Sequence, residues 1–226
     1  MKILGIIPAK GKSVGLPNKH LMLISGLCLI EYTFKFAENI QEFDEIFLTT
    51  DSEHIIEISK KYKRIKAPFL RPKNLSLTNT TTIEVIQHLI QNIDKDFTHI
   101  VLLQPTSPFR KKEEITKTIK LLEQGNKSII GVSKPLNHPA DFIFKEGIKN
   151  RWILDDYKGK IRQKFPEYFF NNGALYAFEI EYFLNENKIY DENSKLLLMN
   201  EYSFIDIDEK IDFIIAKNII ENEQFF

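Results

Sequence analysis

Lys2-Ile-Leu-Gly-Ile-Ile-Pro-Ala9, continuing as Lys10-Gly-Lys-Ser-Val-Gly-Leu-Pro-Asn-Lys-His20, is the stretch whose reading decides the fold. Its first half is a short apolar run rich in isoleucine, with no polar alternation after Lys2. That pattern suits a strand buried on both faces, as in sheets covered on each side by helices. The second half carries Gly11, Ser13, Gly15, Pro17 and three lysines. Glycines let the backbone turn its N–H groups toward an anion, and lysines add charge. A strand feeding such a loop is a phosphate-binding candidate. Taken alone, the loop fits a basic surface turn equally well. Neither G-x-x-x-x-G-K-[ST] nor G-x-G-x-x-G is present, so a nucleotide held here is held by another scheme.

Outward from this stretch the same alternation repeats. Helical spacing over Leu29 to Asn39, with Leu29, Tyr32, Thr33 and Phe36 on one face, precedes a buried strand at Glu45 to Thr50. A helix from Glu53 to Lys61 has Ser52 as its expected N-cap. A short strand is expected near Ile65 to Phe69. A polar loop from Lys73 to Thr82 then leads into a helix at Ile83 to Asn92, which its last threonines can cap. Strand His99 to Gln104, helix Lys112 to Gln124 and strand Ser128 to Val132 follow. These β-α units predict an α/β fold: a mostly parallel sheet with helices on both faces. Right-handed crossovers bring the strands' C-terminal ends to one edge, where such sheets bind ligands.

From Lys134 to Glu167 the pattern breaks into a hairpin-like excursion whose apolar residues lack local partners. An arm packed on another subunit and a flap over the site both fit. Core structure resumes with a strand at Gly173 to Phe178, a short helix near Ile180 to Asn185 and a strand near Lys195 to Met199. A final helix spans Glu209 to Asn222, with Ile211, Ile214, Ile215 and Ile219 expected inward. The whole reads as a single domain, 1–226, with 134–167 inserted.

With 43% hydrophobic and 27% charged residues, the chain can bury a core and keep a solvated surface. The formal net charge of +0 argues against a nucleic-acid partner, which selects a basic excess. No apolar run approaches membrane-spanning length, and the first is too short for a signal peptide; a cytoplasmic location is expected. The lone Cys28 offers no internal disulfide and reads as a buried structural thiol. Histidines 20, 54, 88, 99 and 138 lack metal-ligand spacing.

Three further constellations carry chemistry. Asp206-Ile-Asp208 places two carboxylates on one side of an extended stretch, a hard-oxygen pair suited to Mg²⁺; an acidic turn capping the last helix is the plain alternative. Gln104-Pro-Thr-Ser-Pro-Phe-Arg110 follows a buried strand, and Thr106, Ser107 and Arg110 offer donors to an anion or sugar. Asn171-Asn-Gly-Ala-Leu-Tyr176 offers amides that suit sugar hydroxyls, or a turn that permits positive φ. Arg162 and Gln163 could serve a carboxylate or phosphate.

The order of these strings resembles that of the acylneuraminate cytidylyltransferases, the CMP-sialic acid synthetase family. The resemblance rests on Ile7-Pro-Ala-Lys-Gly11 with Gly15-Leu-Pro-Asn-Lys19, Thr50-Asp-Ser52, Arg71-Pro-x-x-Leu75 and Leu103-Gln-Pro-Thr-Ser-Pro-Phe-Arg110. It continues through Arg162-Gln163, Asn172-Gly-Ala-Leu-Tyr176 and Ile205-Asp-Ile-Asp208, and so spans essentially the whole chain. The resemblance implies a Rossmann-like nucleotidyltransferase fold, a homodimer and Mg²⁺. It implies joining of CTP to a nine-carbon 3-deoxy-2-ulosonic acid with release of pyrophosphate. Ala9, Lys10, Gly11, Ser13, Gly15 and Lys19 would then hold the triphosphate, with Lys10 and Lys19 acting on the leaving group. Arg71 and Thr82 match positions on the cytidine side. Gln104, Thr106, Ser107, Arg162, Gln163, Asn172 and Gly173 fall on the sugar side, and Asp206 and Asp208 match the metal ligands, Asp208 being catalytic. The excursion at 134–167 matches the family's dimerisation arm.

This sequence also departs from the family's usual P-A-R-x-G-S-K-G-L-P-x-K-N. Lys10 replaces the arginine and loses its fork of donors, Val14 replaces a basic residue, and His20 replaces the asparagine. Thr78 stands where an aspartate is usual and Phe170 where an arginine is common. The alternatives these raise are a related sugar of the Kdo, legionaminate or pseudaminate type, or a catalytically weakened nucleotide-binding partner protein.

Overall fold

β1 (Ile3–Ala9) lies inside a seven-stranded sheet, flanked on both sides and buried along almost its whole length. The structure, a computed structural model, describes residues 1–12, 15–93, 96–157 and 165–222. On one side β1 pairs in parallel with β4 (Glu45–Thr50), which pairs in turn with β5 (Ile65–Lys66). On its other side β1 pairs in parallel with β6 (His99–Leu102). Beyond β6 lie β10 (Phe170–Glu179), β7 (Ser128–Ser133) and β11 (Lys195–Leu198). β10 runs antiparallel to both β6 and β7, and the other pairings in this sheet are parallel. The expected mostly parallel sheet is therefore present, with one reversed strand inside it. β5 is shorter than the expected run to Phe69; Pro68 has no N–H to give to a ladder.

Helices cover both faces. α1 (Leu29–Glu38), α2 (Glu53–Ser59) and α4 (Lys112–Glu123) close a core of Ile7, Phe34, Leu48, Val101 and Leu175. α3 (Thr82–Gln91) and α5 (Ile180–Glu186) close the other, around Leu4, Ile6, Ile86, Leu102 and Phe178. The odd and even residues of β1 thus feed opposite cores, which is why it shows no polar alternation. Ser52 caps α2 through Ile55 N–H, as its position predicts, and Thr81 with Glu84 forms a reciprocal capping box on α3.

A short hairpin, β2 (Leu23–Ile24) with β3 (Leu27–Cys28), turns the chain into α1. Cys28 sits at the N-cap of α1 and is half-buried rather than enclosed. A second hairpin, β8 (Ile143–Glu146) with β9 (Lys149–Trp152), realises the predicted excursion, turning at Gly147 with φ 62°. It leaves Phe142, Ile143, Phe144 and Ile148 exposed.

The last helix, α6 (Lys210–Asn222), corrects the expected inward face. Ile211, Ile214 and Ile215 are 56%, 45% and 39% exposed. The packed stripe is instead Phe213, Ala216, Ile219 and Ile220, set against Ile205 and Ile207. Only Ile219 of the expected set belongs to it. The helix carries apolar residues over more than one face, so spacing alone does not choose the buried one.

Candidate active site

The chain crosses from β1 to β4 and β5 on one side, then returns to β6 on the other. β1 and β6 therefore flank the point where strand order reverses, and crevices at the C-terminal ends of such strands bind ligands. A cleft of about 450 Å³ opens there. The loop after β1 supplies Lys10, Lys12, Gly15, Lys19 and His20; the loop before α3 supplies Ser76 and Thr78, and α3 supplies Thr82. The loop after β6 brings Gln104, Pro105 and Thr106, and the stretch before α6 brings Asp206 and Asp208. Because β10 is antiparallel, its beginning, not its end, reaches this edge and delivers Asn172 and Gly173.

The loop after β1 is held from both sides. Gly11 N–H donates to Asp51 Oδ1 at 2.8 Å, so this amide is spent on an internal carboxylate rather than left for a bound anion. Lys10 Nζ donates to Leu77 O at 2.7 Å, and burial followed by the nearby Arg71 lowers its pKa. Lys19 Nζ donates to Ile207 O at 3.0 Å and to Asp208 Oδ1 at 2.5 Å. Gly15 packs so closely on this stretch that a Cβ would lie 2.8 Å from Asp208 O. Lysine and glycine together latch the loop onto the carboxylate segment.

That segment behaves as its alternation predicts: Ile205 and Ile207 are buried, while Asp206 and Asp208 turn to the cleft. Ile207 N–H donates to Thr106 O at 2.8 Å, tying the segment to the loop after β6. Burial raises the pKa of Asp206, reinforced by the Asp208 charge and opposed by the Thr106 and Ser107 hydroxyls and by Lys19. Gly173 has φ 72°, and a Cβ there would stand 3.1 Å from Gln104 Oε1 and 3.5 Å from Asp206 Oδ2. The backbone bulges between Asn171 and Tyr176 to make this approach.

Not every residue singled out in the sequence faces the cleft. Arg71 is buried, donating to Thr49 O, Ala9 O and Ser76 Oγ, with Asp51 Oδ1 3.7 Å away. It braces the β1 and β4 ends, and Ala9 serves it through its carbonyl. Arg110, read as an anion donor, is also enclosed: it bonds Ala174 O, Thr33 Oγ1 and Gln104 O. Asn172 is buried, giving its amide to Ser133 Oγ and accepting from Ala174 N–H, so it shapes the bulge from behind. Ser107 is buried and donates to Asp206 Oδ1 at 3.4 Å. Ser13, Val14, Arg162 and Gln163 lie outside the described residues.

Sequence reasoning missed Lys12 and Ser76 as cleft residues, and also a neighbouring recess. This recess, of about 300 Å³, shares Thr82 and Gln104 with the cleft and is walled by Tyr176, Lys188, Ile189 and Tyr190. The Tyr176 and Tyr190 rings stack with centroids 5.6 Å apart. The start of α3, the loop after β6, β10 and the segment after α5 meet to form it, and no local signal announces that.

Two carboxylates facing an open cleft fit a hard divalent cation that completes its shell with water and substrate oxygens. The ammonium of Lys19 already stands against Asp208, so the segment accepts positive charge where an ion would sit. Among the described residues no cluster of three or more His, Cys, Asp or Glu side chains offers an all-protein cage.

A covered, mostly parallel sheet with a lysine-bearing loop and a carboxylate pair at its switch point defines an α/β nucleotidyltransferase fold. Residues 4–217 match the family model described as Cytidylyltransferase, and the chain belongs to that family. It is 32% identical to the N-acylneuraminate cytidylyltransferase of Escherichia coli O18:K1:H7 over 96% of its own length, spanning 52% of that relative. It is 31% identical to the CMP-N,N'-diacetyllegionaminic acid synthase of Legionella pneumophila, covering 99% of this chain and 98% of the relative. A solved CMP:2-keto-3-deoxy-manno-octonic acid synthetase complexed with CTP superposes with a TM-score of 0.70 at 12% identity. That alignment covers 99% of this chain and 100% of the other, and supports the fold. Among the described residues no helix is long and apolar enough to cross a membrane.

Proposed function

We propose that this chain joins CTP to an acidic sugar of the sialic-acid-like 3-deoxy-2-ulosonic class, giving the CMP-sugar and pyrophosphate. The carrying observation is the meeting, in one strand-end cleft, of Lys10 and Lys19 with Asp206, Asp208 and Gln104. Relatives named for N-acylneuraminic and diacetyllegionaminic acids, matched along nearly the whole chain, support this substrate class.

The anomeric hydroxyl attacks the α-phosphorus of CTP in line; the new P–O bond forms as the bond to pyrophosphate breaks, and the hydroxyl proton leaves to solvent. Lys10 and Lys19 meet the charge that grows on the departing pyrophosphate. Thr82 borders the nucleoside end, while Gln104 and Thr106 orient the sugar against it. Asp206 and Asp208 would hold Mg²⁺, which neutralises phosphate charge and lowers the pKa of the attacking hydroxyl when bound. Ser107, Asn172 and Gly173 keep these groups in place from behind. We place the protein in the cytoplasm and assign it a homodimer built through the hairpin of β8 and β9.

The test is nucleotide selectivity combined with loss at Asp208. Pyrophosphate release is expected with CTP and Mg²⁺ in preference to ATP, GTP and UTP. Asp208→Asn is expected to lower kcat by at least about a hundredfold with an unchanged circular dichroism spectrum. Full turnover in that variant would remove Asp208 from the mechanism.

A further inference from the structure

His20 is 7% exposed and lines the cleft. Its Nδ1 lies 2.9 Å from Lys10 O. A carbonyl has no proton to give, so Nδ1 carries the hydrogen and donates it. Nε2 has no partner among the described residues, and it is not among the polar atoms sealed from solvent. In the neutral ring this nitrogen holds a bare lone pair. Burial pushes the imidazole pKa down to about 4, helped by the Lys19 and Arg71 charges and opposed by the Lys10 carbonyl and Asp51, so the ring stays neutral.

The consequence is chemical. An unprotonated Nε2 repels phosphate oxygens, which are themselves acceptors, although it sits in the lysine-bearing loop. Mg²⁺ prefers oxygen ligands to an imidazole nitrogen, so in this cleft the lone pair serves a group that brings a hydrogen.

We propose that His20 Nε2 accepts a hydrogen bond from a substrate hydroxyl in the cleft and so helps to orient that substrate. This rests on the function proposed above, whose substrates bring two sources of such a hydroxyl: the ribose of the nucleotide and the acidic sugar.

The experiment compares wild type with His20→Phe, which keeps a ring but has no acceptor. Dissociation constants are measured for CTP, 2′-deoxy-CTP, 3′-deoxy-CTP and pyrophosphate. If the ribose supplies the hydroxyl, wild type favours CTP over one deoxy analogue by about tenfold, and the variant loses that preference. If the sugar supplies it, nucleotide affinities stay unchanged and kcat/KM for the sugar falls by a similar factor. Pyrophosphate affinity is unchanged in either case. Equal weakening of all nucleotides and of pyrophosphate would mark a phosphate contact and overturn the proposal, as would a variant unchanged in every measurement. A second measurement needs no variant: ¹⁵N spectra of histidine-labelled wild type should show Nδ1 protonated, Nε2 bare, and the Nε2 signal moving when the hydroxyl-bearing substrate is added. The opposite tautomer, or an Nε2 signal indifferent to both substrates, overturns it. A wild type that binds no nucleotide contradicts the proposed function and this inference with it; nucleotide binding that is blind to His20 contradicts this inference alone.

Discussion

Lys19 holds one ammonium between two obligations. It closes the loop onto Asp208 and Ile207, and the proposed chemistry needs it on the departing phosphates. A cation arriving at Asp208 must contend with it. Lys19→Met should therefore bind Mn²⁺ severalfold more tightly than wild type when no nucleotide is present, measured by electron paramagnetic resonance, while losing turnover. Equal Mn²⁺ affinity would show that the lysine does not guard that carboxylate. At His20 the sign of pH dependence is fixed by its lowered pKa. The unfolded ring protonates near 6.5 and the folded one near 4, so stability falls as pH drops between those values. The gap is worth up to about 3 kcal/mol. Denaturant titrations should show His20→Asn losing less stability than wild type between pH 7 and 4.5; parallel losses would contradict the burial argument. At this scale Asp206 and Asp208 were legible because a period of two survives in any extended stretch. The burial of Arg71 and Arg110 was not legible: an arginine after a strand reads as a ligand donor, and only the tertiary neighbours reveal the carbonyls that each one also braces.

Among the elements, the start of β10 is constrained by backbone and neighbours together. Gly173 needs its positive φ, and a methyl there would press on Gln104 Oε1. Gly173→Ala should cost about 1–2 kcal/mol for the backbone alone and depress turnover by displacing Gln104. A melting temperature equal to wild type would show that the bulge can relax. Asn-Gly in the sequence signalled this turn, because both residues tolerate left-handed backbone. The direction of β10 was not signalled. A run of buried residues reads alike in either orientation, and its direction shows only in the ladders it forms with β6 and β7. α6 failed to be read for a related reason: with isoleucines around much of the helix, its neighbours decide which face packs.

In the whole molecule, the sheet's class followed from apolar strands separated by helical spacing, and the position of the cleft followed from the strand-end rule. Strand order did not, because right-handed crossovers allow several orders. The hairpin of β8 and β9 was legible as an excursion, and it projects apolar side chains, with Ile148 97% exposed. As the arm of a homodimer it would bury them on a second copy. Sedimentation should then find wild type as a dimer at micromolar concentration and Ile148→Asp shifted toward monomer. A monomeric wild type would return the hairpin to a role as a flap.

The activity is tested by a pyrophosphate assay with CTP and Mg²⁺ across N-acylneuraminic, legionaminic, pseudaminic and Kdo-type acids, with the product identified by mass. Release is expected with at least one nine-carbon acid, with a CMP-linked product and no release without the sugar. Silence across the panel from a folded protein that binds CTP would contradict it, and would favour a nucleotide-binding partner that does not turn over.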